Sequence, residues 1–222
     1  MATPAPSSRP AAIGPPLPTP TYGPGGCFSV TCSARIAATP KACLDVILDA
    51  PGCISVFLTI ISYLVKKKKK DPTWNRFCRK CTIDAQPSTS AEPAQDGENL
   101  RLGTRFTFDV HMDPSAPSDV ARTGRATALE VSVLETINDD DSRRRGWRVG
   151  WKGRSSLLMP PWMLRMERIQ EFVEADGGKA TEYSCWETFY GALAPVVKMA
   201  AGAQVVRGVN VWVEGLEGKV EG

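Results

Sequence analysis

Few residues in this chain have the types and the spacing that chemistry requires. "CRKC" at Cys78 and Cys81 has the spacing of a zinc half-site, but a structural site needs four ligands, and the sequence offers neither a second such pair nor a pair of histidines. On a strand, positions three apart face opposite sides, so the two thiols are expected to be separated and no metal is expected. "GGK" at Gly177 makes no phosphate loop, because the residue five before Gly178 is Val173 rather than Gly. For acid–base work the candidates are His111, Asp109, Tyr183 and Glu187, and none falls in a spacing that demands it. No catalytic residue and no cofactor is assigned. Glu187 is the polar position of interest, because it shares strand parity with Tyr183, Cys185 and Phe189, the set read as facing inward. A carboxylate there needs a raised pKa, or a partner such as Arg168 or a ligand hydroxyl. A slip of one residue would turn Trp186 inward instead. Gln170 and His111 are weaker candidates of the same kind.

The elements that must position these residues are mostly strands. In "CFSVTCSARIAA", Phe28, Val30, Cys32, Ala34 and Ile36 alternate with polar residues, the period of a half-buried strand. Thr39 and Pro40 then supply an N-cap and a first-turn proline for a short helix carrying Leu44, Ile47 and Leu48, which Pro51 and Gly52 end. "FCRKCTI" predicts a short strand and "PSTSAEPAQDGEN" a mobile loop. Further strands follow: "TRFTFDVHM", with Phe106, Phe108 and Val110 on one face; "ATALEVSVLET", with Leu129, Val131 and Val133; and "GWRVGWK", with Trp147, Val149 and Trp151. "NDDDSRRR" reads as a solvated turn. "RIQEFVEADGGKATEYSCWETF" reads as a hairpin turning at Asp176, Gly177 and Gly178. Hairpin connections imply an antiparallel sheet. The chain closes on a long amphipathic helix in which Val196, Val197, Ala200, Val205, Val209, Trp212, Val213 and Leu216 recur every three or four residues. The fold class is therefore α+β.

Composition narrows the functional classes. A chain of 222 residues with a net charge of +3 gives no electrostatic footprint for nucleic acid. Seven cysteines, an odd number scattered through the predicted elements, read as reduced and intracellular rather than as a secreted framework. Residues 1–26, rich in Pro, Ala, Ser and Gly, lack the core of a signal peptide and are expected to be a disordered tail. Cytoplasm is the default location. If one sheet face carries Phe106, Phe108, Trp147, Trp151 and Phe172, a molecule bound against it would meet aromatic walls; the plainer reading is that each is a core residue. Trp162, in "LLMPPWML", is either a lid or a buried loop anchor.

The order of elements, with "TRFTFDVHM", "GWRVGWK", "ERIQEF", "DGGKATEYSCWETFYGALA" and the final helix, resembles the START-like superfamily of polyketide cyclase/dehydrase and coenzyme Q-binding type proteins (SRPBCC), in particular its small fungal members. The resemblance covers about residues 27–217 and leaves 218–222 as a tail. It implies a helix-grip fold, in which a curved antiparallel sheet wraps around the long C-terminal helix and encloses a cavity for lipids, quinones, polyketides or other apolar molecules. A helix rich in Ala and Gly facing an aromatic sheet agrees, since it leaves volume beside it. The expected ligand-binding residues are Phe106, Phe108, Trp147, Trp151, Gln170, Phe172, Tyr183 and Glu187, in a monomer that acts as carrier or sensor. A cyclase- or dehydratase-like enzyme using the same cavity is the alternative.

One segment, about residues 53–70, does not fit this scheme. From Ile54 to Val65 there are twelve mainly β-branched and aromatic residues followed by five lysines, whereas a membrane-spanning helix needs about 20 apolar residues. Attachment to an anionic membrane surface through this segment is physically allowed but is the less favoured partner. Joining "LDAPG" to "PTWNRF" restores the aromatic turn the family implies, so the insert reads as translated non-coding sequence. Full-length transcript reads are expected to lack it, and reads that carry it in most messages would overturn this interpretation.

Overall fold

Alternation of apolar and polar residues dictates most of what the computed structural model shows over the residues it describes, 8–49, 74–87, 99–111, 124–140 and 142–222. The strands are β1 (Arg9–Gly14), β2 (Phe28–Ile36), β3 (Cys78–Ala85), β4 (Arg105–His111), β5 (Gly124–Asp139), β6 (Arg144–Gly153), β7 (Arg165–Ala175) and β8 (Ala180–Tyr190). They form one curved antiparallel sheet in the order β1-β2-β8-β7-β6-β5-β4-β3. Helix α1 (Pro40–Leu48) begins where Thr39 Oγ1 accepts the Ala42 N–H at 3.2 Å, and it buries Cys43, Leu44 and Ile47. Helix α2 (Ala194–Val220) closes the concave face, which completes a helix-grip fold of the α+β class. At the β7–β8 hairpin, Asp176, Gly177 and Gly178 all take left-handed φ values, a conformation that glycine adopts without cost.

The Pro-rich N-terminal segment departs from the sequence reading. Residues 9–14 are a strand at the sheet edge, not a disordered tail, and Ala11 N–H donates to Asn210 Oδ1 of α2 at 2.7 Å. The following residues cross the convex face as a strap. Trp186 Nε1 donates to Pro18 O, Thr188 Oγ1 to Leu17 O and Tyr190 OH to Gly23 O, at 3.1, 2.9 and 2.9 Å. Glu167, fully buried, accepts from Thr21 N, Thr21 Oγ1 and Ser132 Oγ. Composition alone argued for disorder because it counts only the segment's own apolar surface; the ordering comes from hydrogen bonds to distant residues.

Irregularities in the strands explain two more departures. The register of β3 shifts between Cys78 and Lys80, and both Cys78 and Cys81 are buried rather than on opposite faces. A shift between Val131 and Val133 of β5 turns Val133 to the convex side, where it packs beside Gly150, opposite Ile169. Leu129 and Val131 stay inward. The expected C-terminal tail starts later than 218, since α2 continues to Val220. The insert at 53–70 and the loop "PSTSAEPAQDGEN" from Ser88 to Glu98 lie outside the described residues.

The small residues of α2 do not leave space as the sequence suggested; they admit large neighbours. A Cβ at Gly208 would fall 2.2 Å from Phe77 Cε2, one at Gly215 would fall 2.4 Å from the Trp74 carbonyl oxygen, and one at Gly202 would fall 2.9 Å from Ile13 Cδ1. The buried stripe is Gly202, Val205, Gly208, Val209, Trp212 and Leu216, while Val196, expected within it, is exposed. Ala at Gly208 should therefore reverse its usual sign. Helix propensity favours it by about 1 kcal/mol, but crowding a packed core costs about 1–3 kcal/mol, so thermal unfolding of Gly208→Ala should show a net loss. Gly218→Ala, where nothing lies within 4 Å, should be neutral or stabilising.

Candidate functional site

Directly opposed residues of antiparallel strands share a face, so the register places the predicted residues in rows across the concave side. One row runs Trp147, Phe172, Tyr183 and Ala34; the next Val149, Gln170, Cys185 and Cys32; the third Trp151, Arg168, Glu187 and Val30. Glu187 therefore faces inward, and Trp186 lies on the convex side under the strap. Phe106 and Phe108 of β4 extend the aromatic surface, with Phe108 centred 5.9 Å from Trp151. Of the eight expected residues, only Trp147 is not buried.

These side chains meet helix α2 at Trp212. Its ring lies edge-on to Trp151 at 5.7 Å and to Trp74 at 5.2 Å, and 6.1 Å from Phe108. The Arg168 guanidinium sits 5.6 Å from the same ring. Arg168 Nε and Nη2 both donate to Glu187 Oε2, at 3.0 and 2.6 Å, and both side chains are about 5% exposed (5% and 6%). Gln170 is the hinge of the polar group: its Oε1 accepts from Tyr183 OH at 2.8 Å and from Trp212 Nε1 at 3.0 Å.

Burial sets the electrostatics. Desolvation alone would lower the Arg168 pKa, but the Glu187 carboxylate beside it outweighs that effect and holds it above the usual range. Burial raises the Tyr183 phenol, so at neutral pH it is a donor. The Cys32 and Cys185 thiols face each other across β2 and β8, and the hydrogen bond between them raises Cys32 and lowers Cys185, with Arg168 adding to the latter. The arrangement sets a paired charge and three hydrogen-bonding side chains, Gln170, Tyr183 and Trp212, inside an otherwise apolar interior.

The other acid–base candidates are not part of it. His111 and Asp109 lie on β4, four strands from Glu187, where His111 Nε2 is 3.2 Å from Asp109 Oδ2. Trp162 is 68% exposed, which excludes a buried anchor. Among the described residues no cluster of three or more His, Cys, Asp or Glu could hold a metal, and no helix is long and apolar enough to cross a membrane. A cleft of about 220 Å³ lined by Ser33, Arg144, Glu182 and Ser184 touches the predicted set only at Tyr183. Sequence reading named Arg168 as a partner and set Trp74 near the rim of the interior, but missed Trp212 and Cys32 as members of the group. Trp212 stood in the helical stripe, yet its N–H gave no sign of which strand residue would receive it.

No known family profile matches the chain. Among solved structures, a hypothetical protein from Helicobacter pylori aligns with a TM-score of 0.51 at 13% identity, over 86% of each chain, a likeness that bears on the fold alone. Ginseng major latex-like protein 151 from Panax ginseng aligns with a TM-score of 0.48 at 10% identity, over 88% of this chain and 99% of that one. Oxopyrrolidines biosynthesis cluster protein O of Penicillium oxalicum is 30% identical over 160 residues, which span 68% of this chain and 74% of that protein. By that identity and coverage, the chain belongs to the same family as oxopyrrolidines biosynthesis cluster protein O.

Proposed function

We propose that this protein binds an apolar small molecule between the concave sheet face and α2, as a cytoplasmic carrier or sensor of the START-like kind. The observation that carries the reading is the Arg168–Glu187 pair, enclosed by Trp151 and Trp212. A buried ion pair contributes little net stability against a well-packed apolar replacement, so its presence in an aromatic interior calls for another use. Orienting the polar end of a ligand is such a use, while the surrounding rings supply affinity at roughly 25 cal/mol per Å² of apolar surface removed from water. Kinship with a protein named for an oxopyrrolidines biosynthesis cluster supports a metabolite as the ligand. That same kinship keeps a second reading in view, a cyclase- or dehydratase-like reaction in the same interior, for which Tyr183 would act as a proton donor.

Native mass spectrometry of the protein purified from its own cells, or incubated with an apolar extract of them, should show one bound small molecule per chain. Arg168→Met alone should lower stability by about 3–5 kcal/mol, because it strands a buried carboxylate, whereas the double variant Arg168→Met, Glu187→Leu should regain stability near the parent's. That folded double variant should lose the bound molecule. A parent chain that takes up nothing from the extract would end the carrier reading. Turnover of the captured molecule that Glu187→Gln abolishes would favour the enzyme.

A further inference from the structure

The polar group inside the grip is not closed. Gln170 is fully buried, and its Nε2 has no hydrogen-bond partner. Rotating the amide does not relieve this, because Trp212 Nε1 can only donate and must meet the oxygen; the 3.0 Å contact to Oε1 fixes which end is nitrogen. Tyr183 OH already occupies the other side of that oxygen at 2.8 Å. Trp74, whose ring lies edge-on to the same indole, also has a buried Nε1 without a partner. Buried orphan N–H groups are rare in native proteins and each carries the full cost of its lost hydration. Here two orphans, both donors, belong to neighbours of one aromatic ring.

We infer that the ligand of this interior presents a hydrogen-bond acceptor, a carbonyl oxygen of a ketone, quinone or lactam, to the Gln170 amide nitrogen, with Trp74 Nε1, beside the Trp212 ring, as a second donor. This rests on the interior being a ligand site, as proposed above, and goes further by assigning the polarity of the ligand's buried end. A purely donor group, an ammonium above all, would leave both N–H groups unpaired and would sit beside the Arg168 cation. A hydrocarbon would leave them unpaired as well. A carbonyl gives up water on entry but regains a donor already fixed in place by two other contacts, which is the arrangement that discriminates most strongly against an analogue lacking the oxygen.

Equilibrium dialysis with two molecules of nearly the same shape, 2-acetylnaphthalene and 2-ethylnaphthalene, tests it. After correction for their partition between water and octanol, the ketone should bind the full-length protein about tenfold or more tightly. In Gln170→Met that preference should vanish while the hydrocarbon still binds. Because this variant also removes the acceptor for Trp212 and Tyr183, a measurement on the unaltered chain accompanies it: the side-chain NH2 resonances of Gln170 should shift on adding the ketone and stay in place on adding the hydrocarbon. Equal binding of the two probes, or an unmoved Gln170 resonance with the ketone bound, would overturn the assignment and leave the ligand site standing; this is also the outcome expected if a buried water satisfies the amide. Failure of both probes to bind would overturn the site itself and the assignment with it.

Discussion

The space between sheet and long helix is organised around one indole. Trp212 is buried, and in an apolar interior its single N–H must find an acceptor or forfeit about 1–3 kcal/mol. Gln170 supplies that acceptor, and from this one contact much of the site follows. The amide is locked in one orientation, Tyr183 OH is drawn to the same oxygen, and the ring of Trp212 is set against Arg168, Trp151, Phe108 and Trp74. Close approach along the same face of the helix comes from absent side chains. Gly208 and Gly215 let Phe77 and Trp74 reach its backbone, so the helix is gripped from the chain before β3 as well as from the sheet.

Strand β7 shows what gripping demands of the sheet. From Glu167 to Val173 every residue is buried, although the sequence alternates charge and apolar character only in part. Arg168 and Gln170 face the helix, and Glu167 faces the convex side, where Thr21 of the strap and Ser132 of β5 satisfy it. Glu171, on the same side, is held by Arg144 and Arg148. A strand covered on both faces has to satisfy polar groups on both, and the N-terminal strap is the cover that makes this possible for Glu167. Its prolines suit the role where the segment crosses the sheet without pairing as a strand, while Leu17 and Thr21, which keep their N–H groups, donate to Ser29 Oγ and Glu167 Oε2.

Where periodicity carried the information, the sequence was legible. The alternation in β2, β4 and β6 predicted which residues face inward, the Thr39–Pro40 cap predicted the start of α1, and the parity of β8 placed Glu187 inside. What was not legible depends on single-residue insertions or on contacts far apart in the chain. The irregularities in β3 and β5 moved Cys78 and Val133 to faces that strict alternation denied them, and no composition signal marks a bulge. The strap was hidden because its partners, Glu167, Trp186, Thr188 and Tyr190, lie more than a hundred residues away. In the site itself, Gln170 and Tyr183 were visible as inward residues, but the bond that joins them to α2 was not.

The buried charges and the orphan donor constrain each other. A polar network kept only to fix the packing of a helix is worth most when every member is satisfied, because a low dielectric strengthens good hydrogen bonds and penalises missing ones equally. Arg168 and Glu187 meet that standard with one another. Gln170, two residues along the same face, does not: it gives its oxygen twice and its nitrogen to nothing. If register were the only use of the row, an apolar residue beside a simple acceptor would serve Trp212 without the orphan. The incomplete member is therefore the place where the two explanations for the row make different predictions. On the proposed reading, the unpaired, immobilised donor is the point at which a partner from outside the chain would complete the network.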